Sequence, residues 1–135
     1  MAVPQRIALT MPHPDGIPDT IKYAKWAEAN GFDDLWFADT PGVDSLTTAA
    51  SVAMLTDRVR IGTAIIPVFT RTPAVLAATA QVLHDVSNGR VVLGLGSDSQ
   101  FMMENMNGVD FQKPLTRVKE PAEVVRHILA GEKTA

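Results

Sequence analysis

Four short stretches of this sequence set polar side chains or turn residues directly after an apolar run: Pro12-His13, Asp39-Thr40, Thr70-Arg71 and Ser97-Asp98. The last lies within Arg90 to Ser99, RVVLGLGSDS, directly after an apolar run that ends on Gly94-Leu95-Gly96. A strand ending on Gly-x-Gly is one way to cradle a dinucleotide phosphate at a helix N-terminus. That loop should follow the first strand, carry a third glycine and open directly into a helix. Here three apolar runs precede it, position 99 is Ser99, and Ser97 to Pro114 reads as a long polar loop. The pair instead marks a strand end that something approaches closely, either a packed neighbour or a flat ligand lying on the backbone. Nearby, Met102, Met103 and Met106 either line a pocket or pack under the loop, and Arg71 offers a phosphate partner or a helix-entry salt bridge. His13, between two prolines, faces either a substrate pocket or solvent.

Other chemistries are set aside by composition. With no cysteine, thiolate catalysis, disulfides and Cys-ligated metals are excluded. His13, His84 and His127 lie too far apart for metal-ligand spacing, so no metal is expected. Twelve basic and fifteen acidic residues are scattered, giving a net charge of −3. This argues against nucleic acid or an anionic membrane as partner. Met1 to Arg6 lacks the apolar core of a signal peptide, and no apolar run reaches the roughly 20 residues of a membrane span. The expectation is a soluble cytoplasmic protein acting on a small molecule.

The elements that must carry these residues alternate. Arg6–Met11, Leu35–Ala38, Val59–Ile66 and Val91–Leu95 read as strands. Between them lie helical stripes: Ile21, Ala24 and Ala27; then Leu46, Ala49, Ala50, Ala53 and Met54; then Leu76, Ala80 and Leu83. A last helix shows Leu115, Val118, Ala122, Val125 and Leu129, and Pro121 kinks it or marks its start. Asp44 or Ser45 caps the second helix and Thr72-Pro73 opens the third. Asn30-Gly31 and Asn88-Gly89 are stops. Arg58-Val59-Arg60-Ile61-Gly62 returns as Arg90-Val91-Val92-Leu93-Gly94, 32 positions later, about one βαβ unit. The order βαβαβαβ and then α predicts an α/β fold with a parallel sheet. Ligand sites of such folds lie at the C-terminal strand ends, where all four polar stretches fall. The opposite ends, Asp33-Asp34, Asp57-Arg58 and Asn88-Gly89-Arg90, read as stabilising turns.

Asp34-Leu35-Trp36-Phe37-Ala38-Asp39 resembles the second strand of the luciferase-like monooxygenase superfamily. So do Val59 to Pro67, Thr72-Pro73-Ala74, Gly89 to Gly96, Pro114 to Arg117 and Leu129 to Glu132, in their places in that family. The branch resembled most is that of the coenzyme F-420 (deazaflavin) dependent oxidoreductases, close to methylenetetrahydromethanopterin reductase. The resemblance implies a TIM-type (β/α)₈ barrel, with these four strands in order 1-2-3-4 as its N-terminal half and the helices outside. It implies a cofactor ring lying over the strand ends against a third-strand bulge at Thr63, Ala64 and Ile65, with a cis peptide between Ala64 and Ile65. Gly94 and Gly96 would admit the ring, Ser97 and Asp98 would supply polar contacts, and Asp39 would be the catalytic acid beside it, unless it only caps the loop before Pro41. His13 and Thr40 fall on the substrate side. The second and third helices would form a homodimer interface, which Ala49-Ala50 and Ala77-Ala78 permit. Thr40 and Ser99 stand where sugar-phosphate dehydrogenases of the family carry histidine and glutamate, so that chemistry does not carry over. Flavin mononucleotide (FMN) in a monooxygenase is the alternative cofactor.

A full barrel takes about 250 residues, and this chain has 135. Residues 1–135 are therefore expected to be one half-barrel unit, part of a longer hydride-transferring oxidoreductase. The alternative is a non-catalytic half-barrel that binds or scaffolds, closing its edges with a second copy.

Overall fold

The structure is a computed structural model that describes residues 5–13 and 15–133. Pro14, part of the predicted turn after the first strand, lies outside them, as do Met1–Pro4 of the leader argument and the last two residues. The chain runs β1 (Ala8–Thr10), α1 (Ile17–Ala29), β2 (Asp34–Phe37), α2 (Ser45–Ala53), β3 (Arg60–Thr63), β4 (Ile66–Pro67), α3 (Pro73–Val86), β5 (Val91–Val92), β6 (Leu95–Gly96) and α4 (Pro114–Leu129). All strand pairs are parallel, in the order β1-β2-β3-β5, with β4 paired to β6. The third predicted strand is thus two pieces, β3 and β4, and the fourth is β5 and β6. The 1-2-3-4 order of a partial TIM-type barrel holds.

Helix boundaries follow local chemistry. Asp44 caps α2, its carboxylate accepting the Leu46 N–H at 3.0 Å. Thr72 caps α3, whose first residue is Pro73. α3 stops where Asn88 and Gly89 take φ of 52° and 80°, left-handed values that glycine and asparagine tolerate best. Neighbouring helices pack in sequence, α1 on α2, α2 on α3 and α3 on α4. Leu35, Phe37, Val59, Ile61 and Ile66 of the strand segments are buried in one core with Leu46, Val52, Leu76 and Leu83 of the helices. Each such side chain contributes about 1.5–3 kcal/mol by leaving water.

Three expectations are corrected. Met54, placed in the core stripe of α2, is 71% exposed, and Val52 takes the buried position. Leu115 and Leu129 of α4 are 88% and 45% exposed, and only Val125 is fully buried there. α4 packs chiefly on α3 and β6, and its Arg117 lies over the Phe69 ring. Pro121 does not start α4, which begins at Pro114 and runs through it.

The N-terminal strand ends are stitched by charge. Asp34 is buried between Arg6 (2.8 Å) and Arg60 (2.6 Å). The Arg6 hydrogen bond chiefly, against the opposing effect of burial and with help from Arg60, lowers its pKa to about 2. Burial works against ionising Glu28 too, but the N–H groups of Val59, Arg58 and Asp57 outweigh it and hold that pKa below the usual range. Arg90 donates to the carbonyls of Ala53, Thr56, Val59 and Ser87 at 2.7–3.0 Å. This end of the sheet is a stability device.

Candidate functional site

At the C-terminal ends the third strand bulges between β3 and β4. The Ala64–Ile65 peptide is cis. The Thr63 hydroxyl donates to the Gly94 carbonyl at 3.0 Å and accepts the Gly94 N–H at 2.9 Å, standing in for ladder bonds that the bulge interrupts. Pairing resumes where Ile66 and Val68 donate to the carbonyls of Gly94 and Gly96, both at 2.9 Å. The glycine pair now has a cause. A methyl on Gly94 would overlap the Thr63 carbonyl oxygen, and one on Gly96 would sit 2.9 Å from Ile65 Cγ1. Both glycines are where the bulge leans on the next strand. Gly62 is small for a related reason, because the Trp36 ring lies across it.

Of the residues expected at these strand ends, Thr63 is buried with its hydroxyl spent on Gly94, whereas Ala64 is exposed and Ile65 half-buried. Ser97 donates its hydroxyl to the Asp98 carbonyl at 3.1 Å. Asp98 takes φ 59°, and its carboxylate accepts the Ser99 N–H at 2.6 Å. The segment read as a polar loop is partly helical: Met102–Met106 form a π-helical turn, and the Ser99 hydroxyl accepts the Met102 N–H at 3.3 Å. The available signal was Ser99 heading a stretch free of glycine and proline as far as Gly108.

A cleft of about 530 Å³ opens between this turn and the β2–α2 loop, and it gathers Asp39, Thr40, Asp44, Arg71, Asp98 and the three methionines of the turn. Asp39 is anchored. One oxygen accepts the Ser45 N–H (2.9 Å) and hydroxyl (2.8 Å), and the other pairs with Arg71 at 2.5 Å. Arg71 also reaches Asp44 at 3.1 Å. Burial disfavours the Asp44 anion, but the Thr47 hydroxyl, Arg71 and the N–H groups of α2 outweigh that and lower its pKa. Of the two roles open to Arg71, the ion pair is the one seen.

His13 is not in this cleft. It lines a second one, of about 330 Å³, on the other side of Gly42-Val43-Asp44. Its Nδ1 lies 3.4 Å from the Thr20 hydroxyl, and its buried Nε2 has no partner. The strand-end site thus comprises a bulge packed on Gly94 and Gly96, an anchored acid and two flanking clefts.

The family profile described as luciferase-like monooxygenase matches residues 1–135. The chain belongs to that family. It is 38% identical over 112 residues to a 5,10-methylenetetrahydromethanopterin reductase of Methanolobus tindarius, across 82% of this chain and 34% of that protein. It therefore spans about a third of the length of that relative. Among solved structures, the coenzyme F-420 dependent tetrahydromethanopterin reductase of Methanopyrus kandleri superposes with a TM-score of 0.73 at 26% identity, over 90% of this chain and 38% of that one. The oxygenating component of 3,6-diketocamphane monooxygenase from Pseudomonas putida, solved with FMN, superposes at 0.79 and 19% identity, over 91% and 40%. These superpositions agree with a partial barrel.

Proposed function

We propose that this chain is the N-terminal half-barrel of a longer oxidoreductase that transfers hydride between reduced coenzyme F-420 and a small organic substrate. The observation that carries this reading is the cleft at the C-terminal strand ends, which gathers Asp39, Thr40, Arg71, Asp98 and three methionines where parallel α/β folds hold their ligands. Gly94 and Gly96 make room for the bulge, whose Thr63 carbonyl and Ile65 side chain fill the space beside them. Ala64 is the small, exposed residue of that bulge that a flat ring would meet. The deazaflavin, when bound, supplies the hydride chemistry, and the protein supplies orientation. Ser97 and Asp98 offer polar contacts beside the bulge. Asp39, fixed by Ser45 and Arg71, presents a stationary acceptor toward the ring edge. Thr40 and His13 face the substrate side from the two clefts. Arg71 is already paired, so the anionic cofactor tail is assigned to the part of the barrel beyond this chain. The 38% identity to a methylenetetrahydromethanopterin reductase supports the deazaflavin branch.

The test is turnover of the full-length protein carrying this sequence, followed by F-420 absorbance. Asp39→Asn should lower kcat by about 10²-fold, the scale of losing one positioned proton-handling group. Unchanged turnover would remove Asp39 from this role. Turnover with FMN and oxygen instead would place the protein in the monooxygenase branch, and no turnover with either would favour the non-catalytic half-barrel.

A further inference from the structure

The larger cleft has an unbalanced lining. Asp39, Asp44 and Asp98 bring three carboxylates to it, and Arg71 is the one cation among its lining residues. Arg71 is committed to Asp39 and Asp44 at 2.5 and 3.1 Å, and its side chain is only 19% exposed. An incoming anion would have to break one of those pairs and would still face the remaining carboxylates. The distances across such a cleft are shorter than the screening length of about 8–10 Å in physiological salt, so this repulsion is felt. The opposite wall is Met102, Met103 and Met106, unbranched and polarizable side chains that mould to flat apolar groups.

We propose that this cleft receives a neutral or cationic head group with an apolar flank and rejects phosphate- or carboxylate-bearing groups. The inference rests on the proposed function and narrows its substrate class. It also fits the assignment of the anionic cofactor tail elsewhere. Asp98 is the discriminating residue, since among the described residues its carboxylate meets no cationic partner and accepts only the Ser99 N–H.

The test needs no cofactor, so its outcome is separable from that of the turnover assay. The full-length protein carrying this sequence is labelled with ¹³C at the methionine methyls and titrated with benzylamine, benzyl alcohol and phenyl phosphate. The amine and the alcohol should shift the Met102, Met103 and Met106 methyl signals, while Met54 on the outer helices stays put. The amine should bind at least about tenfold more tightly than phenyl phosphate. Asp98→Asn, which keeps a residue type that accepts the left-handed backbone, should cut that ratio several-fold. Phenyl phosphate binding in the cleft as tightly as the amine, a ratio unmoved by Asp98→Asn, or no shift of the three methyls with any probe would each overturn the proposal.

Discussion

At Gly94 the obstacle to a side chain is the Thr63 backbone carbonyl, whereas at Gly96 it is the flexible Ile65 side chain. The two glycines should therefore respond differently. Gly94→Ala should cost about 1–3 kcal/mol, as overpacking does when the backbone must move. Gly96→Ala should cost less, because Ile65 can rotate. Urea midpoints of the two variants check this, and equal losses would contradict it. Asp34 makes a second prediction. Its pKa is depressed, from the ordinary 3.8 to about 2, so the stabilisation is complete above the unfolded pKa. It is lost as pH falls from about 4 toward 2, and it amounts to about 2 kcal/mol. Asp34→Asn should flatten the stability profile over that window. Some slope should remain, because Glu28 and Asp44 are shifted in the same direction. An unchanged profile in urea melts at pH 5, 4 and 3 would refute the assignment.

Among the elements, the repeat Arg-Val-x-apolar-Gly was legible and has a physical meaning. Each arginine sits at the base of a strand and gathers carbonyls from the preceding turns. Arg58 binds those of Glu28 and Phe32, and Arg90 binds four. Arg90→Ala should then cost about 2–4 kcal/mol by leaving half-buried acceptors without donors. Arg58→Ala should cost clearly less, since that side chain is 51% exposed. Thermal unfolding of the pair reads the difference, and a smaller loss for Arg90 would contradict it. The Thr72 cap, the α2 cap at Asp44 or its neighbour Ser45, and the glycine stops could be read because each depends on residues adjacent in sequence, whereas the strand order came from the family resemblance. The bulge at Thr63-Ala64-Ile65 and its cis peptide were implied by the family resemblance. The local pattern alone read Val59–Ile66 and Val91–Leu95 as unbroken strands, since alternation within a strand does not show where its partner forces a break. The burial of α4 was misread since amphipathic spacing says which side chains align, not whether a neighbour covers them. Asp39 was singled out for its place at a strand end. Its anchoring by Arg71, 32 positions away, depends on the β4–α3 connection folding back over the strand ends.

As a whole molecule, the chain has a four-stranded sheet open at β1 and β5, with the β4–β6 pair beside the bulge. β1 pairs only with β2, and β5 only with β3, among the described residues. Long-lived open edges invite further pairing, and the rest of a barrel would satisfy both. The homodimer expected through α2 and α3 is a separate proposal. Ala49 and Ala77 cannot serve it, being buried in the chain's own core, but Met54, Val75 and Val82 are 71%, 52% and 56% exposed. Val82→Glu should convert a dimer to a monomer in light scattering, and a wild-type monomer at micromolar concentration would refute the interface. The central claim, a deazaflavin half-barrel, is tested most directly by an absorbance titration of the full-length protein and of the 135-residue chain with coenzyme F-420 and FMN. The account predicts that the full-length protein binds F-420 in preference to FMN and that the chain alone binds neither tightly. Preference of the full-length protein for FMN, or stoichiometric tight binding by the chain alone, would contradict it.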